Sequence, residues 1–446
     1  MLKRFYKSLF FSRRFYRLWV GVIILFVLSF GLPFLFVMAQ LVALFLTLVT
    51  ALDYLVLFSR KDPVLAEREM AERFSNGDSN PIVLVITNQY PFQVSLRIID
   101  ELPDQFQRRN FSLSCKLQGG ESQRLSYELR PTERGEYFFH SINVFVKSPF
   151  RLLVRRKILD RKKMVRVLPS YFPLRQFELQ AWSNNLSENG NKRIRKLGHS
   201  MEFEQIKEYV IGDDIRSLNW KATARKGGQL MVNNFTDEKS QQVYCVIDKG
   251  RIMKMPFNGM SLLDYAINAT LILSRVSLIK QDKAGLLTFA DQIGTFLPAG
   301  RKAMQMSNIL EILYNQQTKF LETDYEKLYA LIRNRITQRS LIVLFTNFES
   351  LSGLQRQMPY IRGIAKNHLL LVVFFENTGL QQLRETGAGD IEGLYVKTIA
   401  EKFAYEKRLI VKELNQHGIM TILTAPENLT VQAVNKYLEI KARLAI

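Results

Sequence analysis

The chain has 446 residues, 47% of them hydrophobic, which is enough for two or three domains with packed cores and excludes wholesale disorder. Its two cysteines, Cys115 and Cys245, are too few for a disulfide framework and fit a reducing compartment, and its four scattered histidines argue against a histidine metal centre or triad. The net charge of +21 raises nucleic acid as a partner, but no zinc-finger spacing or RNA-binding aromatic pattern accompanies it.

The charge is unevenly placed. Lys3, Arg4, Lys7, Arg13, Arg14 and Arg17 crowd the start without an acid among them, and they adjoin an apolar segment, so anionic headgroups rather than nucleic acid are the expected partner. Residues 18–36 carry no charge and residues 37–58 only Asp53. Each stretch approaches the ~20 residues that a helix needs to cross hydrocarbon. Gly31 and Pro33 mark a reversal between them, predicting a helical hairpin that spans a bilayer twice. A cleavable signal peptide ending near Val37-Met38-Ala39 is the competing reading; the length of the apolar stretch and the second one behind it favour retention. Basic residues before the first helix and Arg60-Lys61 after the second predict that both chain ends and the remaining mass are cytoplasmic. Asp53 lies about five residues inside the second helix, where it can snorkel or be captured by a partner helix.

Residues 81–169 switch to short β-branched and aromatic runs at 82–87, 94–99, 111–117, 124–129, 137–146, 152–156 and 164–168, with turn residues between them. About seven such strands predict a β-sandwich of immunoglobulin or fibronectin type, a binding or spacer module with no catalytic feature. Residues 171–241 read as a linker that contains a second basic cluster, Lys192, Arg193, Arg195 and Lys196.

From residue 242 the rhythm alternates. Strands are expected at 243–247, 285–289, 341–345, 369–375 and 419–423, and helices at 262–280, 325–336, 354–365, 403–416 and 431–444. Such alternation predicts an α/β domain with a doubly wound, mostly parallel sheet. Ligands of these sheets bind beyond the carboxyl ends of the strands, which singles out Asp248, the loop around Thr323, and Thr346-Asn347. Lys249-Gly250-Arg251 is no phosphate-binding loop, so a nucleotide is not expected.

The most distinctive stretch is Glu202-Phe203 followed by Glu208-Tyr209-Val210-Ile211-Gly212-Asp213-Asp214-Ile215-Arg216-Ser217-Leu218-Asn219-Trp220-Lys221-Ala222-Thr223-Ala224-Arg225. It resembles the signature of the bacterial family called domain of unknown function 58, with Lys207 where that pattern usually has Arg and Asn219 where it often has Asp. Arg134-Gly135-Glu136-Tyr137 and Ser148-Pro149-Phe150-Arg151-Leu152 resemble further segments of the same family. The resemblance implies four parts: residues 1–60 with two transmembrane helices, a β-sandwich over 61–170, the signature linker at 171–241, and a von Willebrand factor A-like domain over 242–446. It places the protein in a bacterial inner membrane, working with a MoxR-type AAA+ ATPase and with other A-type membrane proteins as further partners.

A-type domains often hold Mg²⁺ at an adhesion site, and by the resemblance Asp248 matches its first Asp and Thr323 its Thr, while Asn347 replaces its later Asp and Gly250 and Ile252 its serines. So degraded a set implies no cofactor, with residual Mg²⁺ binding left open. Gly212, Asp213, Asp214, Arg216, Asn219, Trp220 and Arg225 read either as a partner-contact surface or as a structural joint with Trp220 as a core anchor. The functional expectation is a non-enzymatic membrane-tethered adaptor for envelope assembly or stress. The alternatives are a metal-dependent adhesion module and a hydrolase built on Asp213 and Asp214, which lacks a supporting histidine.

Overall fold

The computed structural model describes residues 8–32, 34–109, 111–170, 201–210, 213, 215–237, 240–318, 320–380 and 391–443; for 201–205 and 234–237 only the backbone is described. The chain divides into two compact units, Met1–Leu168 and Pro169–Ile446.

In the first unit, strand β1 (Leu9–Phe11) leads into helix α1 (Arg13–Leu28), followed by helix α2 (Phe34–Phe58). Ser12 starts α1 as its N-cap, its hydroxyl accepting the Phe15 N–H, and so supplies one of the acceptors that a helix start lacks. The first helix therefore begins and ends several residues earlier than the uncharged stretch suggests. Of the two helices, α2 is long and apolar enough to cross a membrane, and it presents Phe34, Phe45, Leu48 and Leu55 outward.

Strands β2 (Val64–Met70), β3 (Arg73–Ser75), β4 (Asn80–Asn88), β5 (Val94–Asp100), β6 (Leu113–Leu117), β7 (Ser122–Leu129), β8 (Gly135–Phe139), β9 (Ile142–Lys147), β10 (Leu153–Leu159) and β11 (Lys163–Leu168) complete the unit. They form three sheets, ordered β1-β10-β9-β5-β6, β2-β4-β7 and β3-β11-β8. All three contribute to one core that includes Leu57, Phe74, Ile82, Leu84, Ile86, Ile98 and Phe139. The alternation along β4, where Ile82, Leu84 and Ile86 are buried and the residues between them are not, is the period-2 pattern read from sequence. One expected strand, 137–146, is two: at His140 and Ser141 the chain passes from the β3-β11-β8 sheet to the β1-β10-β9-β5-β6 sheet, and the Glu101 side chain accepts the Ser141 N–H at 3.2 Å. The charged strand β2 and the three-residue β1 and β3 carry too little apolar pattern to be read without their partners.

Arg68 of β2 and Asp100 of β5 form a buried pair, 2% and 0% exposed at their side chains. The guanidinium also donates to the carbonyls of Arg161 (2.9 Å) and His140 (3.2 Å), and Tyr127 donates its hydroxyl to Asp100. Every polar atom of this ion pair thus has a partner, the condition for a charge to be tolerated in a core.

The second unit opens with an antiparallel pair, β12 (Met201–Glu208) and β13 (Met231–Asp237), joined through the short helix α3 (Trp220–Arg225). The described residues of the signature thus belong to this strand pair and α3, not to a linker free of regular structure, and the basic cluster 192–196 lies outside the described residues. Next come β14 (Gln242–Asp248), the small hairpin β15 (Pro256–Phe257) and β16 (Met260–Ser261), α4 (Leu262–Ile279), β17 (Lys283–Phe289), β18 (Ile293–Gly300), α5 (Gln305–Tyr314), α6 (Tyr325–Arg335), β19 (Leu341–Phe345), α7 (Leu351–Asn367), β20 (Leu369–Phe375), α8 (Ile391–Gln416), β21 (Met420–Thr424) and α9 (Leu429–Ala442).

The six-stranded sheet has the order β18-β17-β14-β19-β20-β21. Five strands run parallel and the edge strand β18 antiparallel. Strand β18 escaped the sequence reading because its apolar residues are only half-buried at an edge; α5, a helix of 10 residues, escaped it although Ile309 and Leu313 are buried in the core. One sheet face meets α4 and α9 and the other α6, α7 and α8, giving two separate cores. Helix α4 is also long and apolar enough for a bilayer, yet 14 of its residues are buried against the sheet, which makes it a core helix.

Candidate functional site

Asp248 ends the central strand β14 at 1% exposure. Its Oδ1 accepts the Gly250 N–H at 2.8 Å and the Thr323 hydroxyl at 2.7 Å, and its Oδ2 accepts the Thr346 hydroxyl at 2.7 Å. The Thr346 proton is thereby committed, so the Tyr325 hydroxyl, 2.7 Å away, donates to Thr346. Burial pushes the Asp248 carboxyl above the usual carboxylate range, while these hydrogen bonds pull in the opposite direction. The Tyr325 phenol is pushed well up by burial and by the Asp248 charge. That phenol is thereby moved further from neutrality and stays protonated.

Three sequence-singled residues thus meet, though not as a cation site. The Thr323 hydroxyl lies where a Gly250 side chain would begin: a Cβ there would stand 2.1 Å from Thr323 Oγ1. A serine at that position is excluded while Thr323 holds Asp248. Asn347, 5% exposed, has its Oδ1 occupied by Lys407 Nζ at 2.6 Å. A divalent cation needs oxygen lone pairs, and here two hydroxyls and an amide on Asp248 and an ammonium on Asn347 compete for them. The residues present do not fit Mg²⁺. Among the described residues no group of three or more His, Cys, Asp or Glu could hold a metal.

Beside this cluster, a cleft of ≈ 760 Å³ opens at the carboxyl ends of β19, β20 and β21. Phe257, Phe375 and Phe403 supply apolar wall, and Asn347, Glu349 and Lys407 supply polar groups. Lys407 was not singled out by sequence, because a lysine on an amphipathic helix carries no mark of its environment. Burial drives its pKa from 10.5 down to about 8, with Glu349 acting weakly against the shift. A lysine depressed in the folded state is protonated more readily in the unfolded chain, so stability rises with pH between about 8 and 10.5, and the cost of the buried charge is complete below that window. We expect the melting temperature of the wild type, relative to Lys407→Met, to climb over that interval by the equivalent of about 2 kcal/mol. A flat difference between the two pH profiles would refute the assignment.

The signature residues divide. Asn219 caps α3: its Oδ1 accepts the Ala222 N–H at 3.0 Å, and its amide donates to Asn233 at 2.9 Å. Both Asn and Asp can perform that capping, which gives a physical reason for either residue before Trp220. Thr223, buried, accepts the Met231 N–H at 3.0 Å and ties α3 to β13. Asp213 accepts from Lys207 Nζ at 2.9 Å and from the Val210 N–H at 3.1 Å, bonds that hold its carboxyl below the usual range. Asp213 is thus an ion-pair partner of Lys207 within the signature. Arg216 and Arg225 are exposed. Gly212 and Asp214 lie outside the described residues.

Trp220 overturns the core-anchor reading. It is 70% exposed, and Ile215 and Val210 of the same stretch are 68% and 63% exposed. The cap at Asn219 fixes the start of α3 so that Thr223, not Trp220, turns inward. Cys245 is buried, and burial pushes its thiol up to about 12, which leaves no thiolate nucleophile at neutral pH.

Residues 205–393 match the family model described as "Protein of unknown function DUF58". A curated relative, the "Uncharacterized protein YeaD" of Bacillus subtilis (strain 168), is 25% identical over 193 residues, which are 41% of this chain and 47% of that protein. The chain therefore aligns with about half the length of that relative. Among solved structures, the conserved hypothetical protein BatB from Bacteroides thetaiotaomicron aligns with 46% of this chain and 100% of its own, at 14% identity and a TM-score of 0.30. The CARDB domain of the PF1109 protein from Pyrococcus furiosus aligns with 24% of this chain and 87% of its own, at 13% identity and a TM-score of 0.17.

Proposed function

From the premise that residues 205–393 are a DUF58 region, we propose that the protein is a non-enzymatic, membrane-tethered adaptor that docks a MoxR-type AAA+ ATPase. In this reading the apolar helices form a two-pass anchor in a bacterial inner membrane, with both ends and the folded mass in the cytoplasm. The six-stranded sheet, with five parallel strands and one antiparallel edge, is read as von Willebrand factor A-like. The observation that carries the proposal is the outward presentation of Trp220, Ile215 and Val210 on the family signature. Exposed aromatic and aliphatic side chains on an ordered, capped element are costly in water, and they are the residue types that dominate protein–protein contacts. The hydrogen bonds that Asp248 and Asn347 already accept, one of them from an ammonium, weigh against the metal-dependent adhesion alternative. The Lys207–Asp213 pair weighs against the hydrolase. Envelope assembly or stress response is the setting we assign, with other A-type membrane proteins as co-partners.

Affinity capture of the detergent-solubilised chain in the presence of ATP tests this. The wild type is expected to recover an AAA+ ATPase of that class, and Trp220→Ala to reduce recovery at least tenfold, about the 1–2 kcal/mol or more that an interface aromatic contributes. Equal recovery by both, or none by the wild type, counts against the adaptor reading.

A further inference from the structure

The first unit ties its membrane helices to one turn of its sheets. Asp53 of α2, 0% exposed, accepts the Ser148 hydroxyl at 2.5 Å and the Leu153 N–H at 3.2 Å. Ser12, at the start of α1, donates its N–H to Leu152 O at 2.8 Å and its hydroxyl to Arg151 O at 2.6 Å. Arg155 closes the same, C-terminal end of α2, donating to the carbonyls of Leu57 (2.9 Å), Arg60 (2.7 Å) and Lys61 (3.1 Å) and stacking over Phe58. A guanidinium at a helix C-terminus meets both the unpaired carbonyls and the negative end of the dipole. The turn at residues 148–152 is therefore held by both helices, with no slack chain between. Asp53 is not captured by a partner helix but by this turn.

That attachment fixes a depth. From Phe34 to Asp53 the helix rises about 28 Å at 1.5 Å per residue, close to the ~30 Å of bilayer hydrocarbon. With the α1–α2 reversal at one face of the bilayer, Asp53 and the 148–152 turn lie at the other. What the turn presents there is consistent with that level. Phe150 is 55% exposed, and Phe11 and Phe10 on the adjoining β1 are 45% and 42% exposed. Arg13, Arg14, Lys147 and Arg151 are exposed around them. No Asp or Glu occurs between residues 8 and 52 or between 142 and 159. Exposed aromatic rings and cations, with Asp53, the acid at this turn, buried, match the chemistry of an anionic headgroup layer.

We propose that this rim of the sheet domain is itself a lipid-binding surface: Phe10, Phe11 and Phe150 enter the interface, and Arg13, Arg14 and Arg151 bind the phosphates of anionic phospholipids. The proposal rests on the membrane-tether reading and adds that the folded domain is seated on the bilayer, not suspended above it. A seated domain has a fixed orientation towards the membrane, whereas a suspended one rotates about its connection.

The test uses the full chain with Cys115→Ser and Cys245→Ala, reconstituted in nanodiscs whose lipids carry bromine near the headgroup. An environment-sensitive fluorophore is attached at Phe150→Cys, at Phe10→Cys as a second reporter, at Leu41→Cys within α2, and at Gln123→Cys on β7. Bromine is expected to quench the labels at 150 and 10 at least about threefold more than that at 123, with 41 also quenched. Phosphatidylglycerol discs are expected to quench more than phosphatidylcholine discs, and Arg14→Ala with Arg151→Ala to remove that difference. Labels at 150 and 10 that quench no more than 123, while 41 quenches, overturn the surface and leave the tether standing. If 41 is also unquenched, the tether reading falls and the proposal with it. Equal quenching in both lipids overturns the anionic recognition.

Discussion

An Asp100→Ala variant is expected to lose about 3–5 kcal/mol of stability in the Met1–Leu168 unit, the largest single effect in the molecule. The loss comes mainly from what remains. Arg68, with a 2% exposed side chain, keeps its charge in the core with the Arg161 and His140 carbonyls and the Phe139 ring face but no carboxylate to meet it, and the Tyr127 hydroxyl loses its acceptor. Calorimetry of the solubilised protein reads this as a fall in the melting temperature of that unit, with the transition of Pro169–Ile446 unmoved. A double replacement, Arg68→Met with Asp100→Leu, is expected to regain most of the loss, because apolar side chains of similar volume remove the buried charge as well as its partner. A double variant as unstable as the single one would show that packing, not the orphaned guanidinium, sets the cost.

At the end of β14, Asp248→Ala is expected to cost about 2–4 kcal/mol, since the Gly250 N–H and the Thr323 and Thr346 hydroxyls lose their common acceptor. Asp248→Asn is expected to cost less than about 1.5 kcal/mol. Its carbonyl serves Gly250 and Thr323, and its amide can donate to Thr346, which then turns its own proton towards Tyr325. Added Mg²⁺ is expected to leave the wild-type melting temperature unchanged, because a bound cation would raise it by mass action: about 2.7 kcal/mol at a hundred times the dissociation constant. A Mg²⁺-dependent rise that Asp248→Asn abolishes would restore the adhesion-site reading and remove the hydrogen-bond account.

How much was legible before folding differs along the chain. The strands at 341–345 and 369–375 are read to the residue, because a strand buried on both faces is a continuous apolar run bounded by polar residues. The break at residues 140–141 is not, because His140 and Ser141 are no breakers and only the pairing of β8 with β11, and of β9 with β10 and β5, separates the two strands. At the candidate site, sequence brings Asp248, Thr323 and Asn347 to the same end of the sheet, but not the Lys407 ammonium that occupies Asn347. The partner comes from a helix 60 residues away in sequence, and no local pattern records that distance.

By itself the sequence determined an apolar N-terminal segment, two folded regions of different rhythm, the strand ends where a ligand would sit, and a family signature. Those follow from periodicity and residue type, which act over a few residues. Only the tertiary structure decided that Trp220 faces water while Thr223 is buried, that Asp53 is held by a turn of the sheets, and that the would-be cation ligands satisfy one another. These are long-range matters of which donor reaches which acceptor, and a buried polar group takes whatever partner the fold brings within about 3 Å.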